Sequence, residues 1–196
     1  MVKIYREWRM SKIKLNLGCG DNLLEGYINI DKYDPKADVM ADVCDLPYEN
    51  GTVDEIVAYQ VIEHLPYWQT SYMINSIGGI IHPIFFEECY RVLRPGGKMI
   101  TECPDIEYIA RRIAETGDIS YNDTINIFGE YYRPWDTKRY PDWQHQAGSL
   151  HITGYTWIKI QDLAKICGFS SVHRNTMEEK HKDYKYPENL SVTWIK

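Results

Sequence analysis

The stretch that most constrains this chain is Leu15-Asn16-Leu17-Gly18-Cys19-Gly20, followed closely by Tyr27-Ile28-Asn29-Ile30-Asp31. An apolar run that stops at glycines reads as a buried strand entering a tight turn, and a second run ending in aspartate reads as its neighbour. Only residues 18–26 separate the two. A parallel pair normally needs a crossover of a dozen or more residues, so a full first helix does not fit here. The connection is expected to be a loop.

Further strands are predicted at 39–41 and 55–59, the latter introduced by the turn Glu49-Asn50-Gly51. A helix-rich stretch is expected to run from there to Leu93. Near its end Phe85, Cys89, Val92 and Leu93 recur at helical spacing, and Arg94-Pro95-Gly96-Gly97 supplies stop signals. A strand at 98–101 follows, ending at Glu102-Cys103-Pro104-Asp105. Residues 156–167 read as an amphipathic helix closed by Gly168, with two last strands at 172–176 and 191–195. Strands alternating with helices, closed by a strand pair, predict an α/β sheet that is mostly parallel with an antiparallel C-terminal strand. At 196 residues the chain is expected to form one domain, 1–196, with an aromatic-rich insert at about 104–152.

A formal net charge of −6 repels a phosphate backbone, so nucleic acid is disfavoured as a partner. The cysteines at 19, 44, 89, 103 and 167 form no Cys-x-x-Cys pair, and their odd number points to reduced thiols and a cytoplasmic location. The first ten residues are too charged for a signal-peptide core, and no apolar run approaches the ~18 residues of a membrane span. Neither a targeting segment nor a membrane anchor is expected. The oligomeric state stays open.

Glycine after a strand lets a ligand approach the backbone closely, and a carboxylate at the neighbouring strand tip can accept hydrogen bonds from ribose hydroxyls. Taken singly, Gly18-Cys19-Gly20 is equally a tight turn, and an aspartate after a strand such as Asp31 is more often a cap or a solvated turn. Taken together, and followed by Ala41-Asp42-Val43-Cys44-Asp45-Leu46-Pro47-Tyr48, they favour an adenosine-type cofactor.

Residues 15–20, Gly26-Tyr27-Ile28-Asn29-Ile30-Asp31, the segment from Ala41-Asp42 to Leu46-Pro47-Tyr48, Val61-Ile62-Glu63-His64-Leu65 and Arg91-Val92-Leu93-Arg94-Pro95-Gly96-Gly97-Lys98 resemble, in that order, the class I S-adenosylmethionine-dependent methyltransferases. The likeness is greatest to the methyltransferase type 11 group, and it covers roughly residues 12–101. It implies a Rossmann-like sheet with S-adenosylmethionine as cofactor. Leu17, Gly18, Cys19 and Gly20 would line its methionine and ribose part, and Asp31 would bind both ribose hydroxyls. Asp42 would accept from the adenine amino group, and the Val43 N–H would face a ring nitrogen. Tyr59 and Gln60 would lie beneath the sulfonium. Two departures stand out: Asn22 replaces the usual third glycine, and the first helix is reduced to a turn, so no helix dipole faces the cofactor carboxylate.

The acceptor side is less defined. His64 follows the fourth strand on the ligand-binding side of the sheet, and in the resembling family the Glu-His pair mainly orders the surrounding loop. The insert brings Tyr121, Tyr131, Tyr132, Trp135, Tyr140, Trp143, His145 and His151, either as a substrate lid or as a packed flap over the sheet. His64, His145 and His151 are the candidate bases. No metal is assigned, because His145 and His151 with Cys103 or Asp142 show no recognisable ligand spacing. The expected reaction is methyl transfer to a small molecule, with a sugar or nucleotide-linked sugar in view. An NAD-dependent oxidoreductase fits less well: position 23 is Leu where a third glycine is required, and Asp31 follows Gly18 by well under the roughly 20 residues expected. A non-catalytic cofactor-binding protein is the third reading.

Overall fold

The computed structural model describes residues 12–66, 73–74, 80–81, 83–129, 150–184 and 186–196. Seven strands form one sheet, in chain order β1 (Lys14–Leu17), β2 (Ile28–Asp31), β3 (Val39–Met40), β4 (Val53–Tyr59), then, past the separate antiparallel pair of β5 (Met73–Ile74) and β6 (Ile80–Ile81), β7 (Leu93–Pro104), β8 (Ser171–Arg174) and β9 (Asn189–Ile195). The order across the sheet is β3-β2-β1-β4-β7-β9-β8. β9 alone runs against its neighbours, pairing antiparallel with both β7 and β8. The α/β class, the mostly parallel order and the antiparallel last strand are as the sequence predicts. So is the missing first helix: residues 18–27 form turns and loop.

Among the described residues the α-helices are α1 (Ile84–Val92), α2 (Ile106–Thr116), α3 (Tyr121–Phe128) and α4 (Trp157–Cys167). On α1, Phe85, Phe86, Cys89 and Val92 are buried, the inward stripe that their spacing announces. Asp105 caps α2 by accepting from the Glu107 and Tyr108 N–H groups, and Gly117 closes it in the left-handed region. Ser120 and Asp123 form a reciprocal capping box at the start of α3. Such a cap is worth about 1 kcal/mol, enough to matter in helices this short. Under the sheet, Phe86, Tyr155 and Trp194 pack ring to ring, and the Trp194 indole N–H is satisfied by Thr101 Oγ1 at 2.9 Å.

Two expectations need correction. Among the described residues between β4 and α1 the expected helix is not seen: a short 3₁₀ turn (Ile62–His64) and the antiparallel β5–β6 pair stand there instead. Short apolar runs carry no decisive period, and here β-branched isoleucines beside a Gly78-Gly79 turn signal favour strand. Arg94-Pro95-Gly96-Gly97 does not end the helix ahead of a strand at 98. Instead β7 begins at Leu93, opposite Val53, and regular pairing resumes at Glu55 with Lys98. The extra residues form an irregularity inside the strand, accommodated by Gly96 at φ 73°. Among the described residues no helix is long and apolar enough to cross a membrane. All five cysteines are free.

Candidate functional site

The carboxyl ends of β1, β2 and β4 meet at one edge of the sheet, where open α/β sheets bind ligands. Gly18 and Gly20 turn the chain there with φ of 61° and 45°. A Cβ on Gly18 would stand 2.7 Å from Val61 Cγ2, so glycine is required by both backbone and space. The loop is tied to β2 through Cys19 N–H to Ile30 O (3.0 Å) and Gly20 N–H to Asp31 Oδ2 (3.1 Å). Leu17 is fully buried, and burial with the nearby Asp31 charge pushes the Cys19 thiol up to about 11, leaving it an inert neutral wall.

Asp31 therefore sits at the glycine turn, as its spacing implies, but it is already engaged. Its Oδ1 accepts from the Tyr33 N–H (2.8 Å) and the Asp34 N–H (3.0 Å), and its Oδ2 from Gly20. A carboxylate has about four acceptor positions, so roughly one remains.

A buried polar network, missed in the sequence reading, stands in for the absent helix. Asn16 Nδ2 donates to Asn29 Oδ1 (2.9 Å) and to Asn22 O (2.8 Å), while Leu24 N–H reaches the same Asn29 oxygen (2.8 Å). Asp38 Oδ2 accepts from both the backbone and the amide of Asn29. The loop is thereby held from three sides. The signal was present: an asparagine interrupts each of two apolar strands at paired positions.

Asp42 accepts from Cys44 N–H (2.9 Å) and pairs with Lys32 at 2.9 Å, and Val43 beside it is buried. Burial works to raise the Asp42 carboxyl, but the Cys44 N–H and Lys32 outweigh it and hold the group below its usual range. The following loop is fixed from α1: Glu88 accepts from Leu46 N–H, and Arg91 donates to the carbonyls of Leu46 and Tyr48. After β4, Gln60 takes a positive φ of 56°, its N–H donating to Glu102 O at 2.7 Å. Its side-chain nitrogen is buried without a hydrogen-bond partner among the described residues. The Tyr59 ring lies 4.6 Å from that of His181, which comes from the loop before β9 and was not singled out in the sequence.

On the far side of Gln60 lies the 3₁₀ turn carrying Glu63 and His64. The segment after the insert returns across it: Ile152 and Thr153 N–H groups donate to Glu63 O (2.8 and 3.1 Å), and Thr153 Oγ1 donates to Ile62 O (3.0 Å). This sets His64 and His151 edge to face, ring centroids 4.8 Å apart. His64 Nδ1 donates to Leu150 O (3.1 Å) and His151 Nδ1 to Asn126 O (2.9 Å). Because a carbonyl only accepts, each Nδ1 must carry the proton and each Nε2 the lone pair. Burial, reinforced by His151, pushes His64 down to about 4, and burial also lowers His151. Burial raises the Glu63 carboxyl to about 8. Tyr121 is exposed on the first turn of α3. Tyr131, Tyr132, Trp135, Tyr140, Trp143 and His145 lie outside the described residues, and the choice between lid and packed flap falls with them.

Residues 26–101 match the family model for a methyltransferase domain. A protein of Mycolicibacterium smegmatis named as a probable S-adenosylmethionine-dependent methyltransferase is 35% identical over 72 residues, 36% of this chain and 23% of its own length. The chain thus spans about a quarter of that curated relative. Its fold is that of a SAM-dependent methyltransferase from Archaeoglobus fulgidus (TM-score 0.55, 12% identity, covering 99% of this chain and 90% of the other). It is also that of an S-adenosylmethionine-dependent methyltransferase from Mesorhizobium loti (TM-score 0.52, 14% identity, 95% and 91%).

Proposed function

We infer, for a chain that has the class I S-adenosylmethionine-dependent methyltransferase fold and carries a methyltransferase domain over residues 26–101, that it transfers a methyl group from S-adenosylmethionine to a small-molecule acceptor. The observation that carries this reading is the glycine turn at Gly18 and Gly20 locked to the Asp31 carboxylate at the ends of β1 and β2. A pyrophosphate cofactor such as NAD is disfavoured, because no helix N-terminus follows β1 to receive it.

The fit is chemical as well as topological. Gly18 keeps clear the space that a side chain would fill against Val61, Asp31 retains an acceptor position for a ribose hydroxyl, and the buried, unpartnered Gln60 amide offers a donor. Asp42 and the buried Val43 would flank the adenine, with Lys32 yielding part of its hold on Asp42 to the amino group. Tyr59 and Gln60 would form the floor at the reacting end. When bound, S-adenosylmethionine supplies an electrophilic sulfonium methyl. The chain contributes orientation, exclusion of water and, where the acceptor is a hydroxyl, a base. We assign His64, His145 and His151 to the acceptor side. Of these, His64 and His151 are neutral near pH 7, as a base must be.

The acceptor is read as a sugar or nucleotide-linked sugar, supported by the aromatic content of the insert and by a net charge of −6 that disfavours nucleic acid. Five free thiols fit the cytoplasm. Calorimetry with S-adenosylhomocysteine and with NAD, followed by mass spectrometry of a panel of sugars and nucleotide-sugars, tests the reading. Binding of the first cofactor and a methylated acceptor are expected. Preference for NAD, or no binding of either, would overturn it.

A further inference from the structure

Glu63 is 1% exposed, and neither of its carboxylate oxygens has a hydrogen-bond partner among the described residues. An unpaired carboxyl in such a place costs free energy unless something answers it. Two imidazoles stand beside it. Glu63, His64 and His151 each offer a ligand atom within 4.8 Å of the other two. Both rings are oriented by Nδ1–H donation to backbone carbonyls, Leu150 for one and Asn126 for the other. This is the outer-shell arrangement that fixes the tautomer and aim of metal-ligating histidines, leaving Nε2 as donor to the ion.

We propose that Glu63, His64 and His151 form a binding site for one divalent first-row transition metal ion, with zinc as the ion whose chemistry best fits two imidazoles and one carboxylate. Bonds of about 2.0–2.1 Å to a tetrahedral ion place its ligand atoms roughly 3.4 Å apart. The ligand atoms already lie within 4.8 Å of one another, so an ion has to draw them only about an ångström closer. Three protein ligands leave a fourth position for water or for an oxygen of a second ligand. The histidines are partly exposed while Glu63 is not, so the ion enters from the imidazole side.

The backbone holds this set together for a definite reason. The 3₁₀ turn donates two ligands that are adjacent in sequence, and the returning segment is clamped onto that turn at Glu63 O and Ile62 O, bringing the third. Glu63 and His64 alone could not close on an ion. The site stands on this geometry; a bound ion takes the Nε2 lone pairs of His64 and His151, so neither ring serves as a base while the ion is in place.

The test is calorimetric titration of the chelator-treated full chain with Zn²⁺, paired with the visible spectrum of the Co²⁺-substituted protein. One ion per chain is expected, with the absorption of a four-coordinate nitrogen and oxygen site. Glu63→Gln, His64→Gln and His151→Gln should each weaken binding by more than the roughly 10- to 100-fold that an outer-shell partner is worth. His173→Gln, on the exposed β8, should leave it unchanged. Circular dichroism and melting report the fold of each variant, and the parent's Co²⁺ spectrum stands whether or not every variant folds. No stoichiometric binding to the parent, an octahedral spectrum of weak surface sites, or equal affinity in folded variants would overturn the site.

Discussion

Asn16 on β1 and Asn29 on β2 occupy paired positions in the parallel ladder, and Asn16 Nδ2 donates to Asn29 Oδ1 at 2.9 Å. Both residues are buried, at 2% and 7% exposure, between apolar strand neighbours Leu15 and Leu17 on β1 and Ile28 and Ile30 on β2. Their partners are the Asn22 carbonyl, the Leu24 N–H and Asp38, so the pair trades hydrophobic burial for control of the loop that carries Gly18 and Gly20. Where the fold would otherwise have a helix, shape is imposed by this network.

Asn29→Ala removes the acceptor for both Asn16 and Leu24. Leaving buried donors unpaired costs roughly 1–3 kcal/mol, and urea denaturation should register a loss in that range. S-adenosylhomocysteine affinity should fall as well, because the glycine turn loses its support. A double-mutant cycle with Asn16→Ala should reveal coupling of about 0.5 kcal/mol or more. Additive effects would mean that the two amides act independently.

Asp31→Ala should weaken S-adenosylhomocysteine binding by roughly 1.5–3 kcal/mol, the range of a hydrogen bond to a charged group. Asp31→Asn keeps one carbonyl oxygen and should recover only part of the loss. Since Asp31 also ties down Gly20, Tyr33 and Asp34, some loss of stability is expected alongside. Calorimetric affinity equal to that of the parent would make Asp31 a loop anchor alone.

The strand–glycine–strand–aspartate arrangement was legible because every element of it is local: apolar runs, two glycines and one acid within residues 15–31. What escaped depends on which strands pair and in what register. Asn16 and Asn29 declare themselves only once β1 is laid against β2. His64 and His151 were each visible as histidines near the ligand edge, but their meeting requires the returning segment to cross the 3₁₀ turn. Glu63 enters the sequence only as half of a Glu-His pair, since nothing in its neighbours foretells its 1% exposure. The β5–β6 pair was missed because two-residue strands leave no period to read.

Gln60 holds a left-handed backbone at φ 56°, which costs a non-glycine residue about 1–2 kcal/mol, and buries an unpartnered amide. Gln60→Gly relieves both while adding backbone entropy to the unfolded chain, about 0.5–1 kcal/mol. The net expectation is a gain of about 1 kcal/mol in thermal or urea stability, together with weaker S-adenosylhomocysteine binding and slower turnover. Stability bought at the expense of binding would mark Gln60 as strained for function. A variant that is less stable, or that binds as well as the parent, would argue that the strain serves only the turn.

The Glu88–Arg91 pair on α1 makes the loop at Leu46 and Tyr48 sensitive to acid. Burial works to raise the Glu88 carboxyl, but the Arg91 guanidinium and the Leu46 N–H outweigh it and hold the group below its ordinary value. Folding therefore favours the charged form. Its contribution is fully present above the unfolded glutamate value of about 4.3 and is lost as pH falls through that value toward the folded one. Glu88→Gln retains an acceptor for Leu46 but loses the charge-assisted bonds to Arg91, so stability at pH 7 should drop by roughly 1.5–3 kcal/mol. Between about pH 5 and pH 3 its urea midpoint should decline less steeply than that of the parent. Some acid sensitivity will persist, because Asp42, Asp54 and Glu55 are held low by their own partners. The same variant frees the Leu46 and Tyr48 carbonyls from a well-placed Arg91, so the loop bearing Asp42 and Val43 loosens and S-adenosylhomocysteine affinity falls with it. Parallel acid limbs for parent and variant would show that Glu88 is held by hydrogen bonds alone, with its charge contributing nothing.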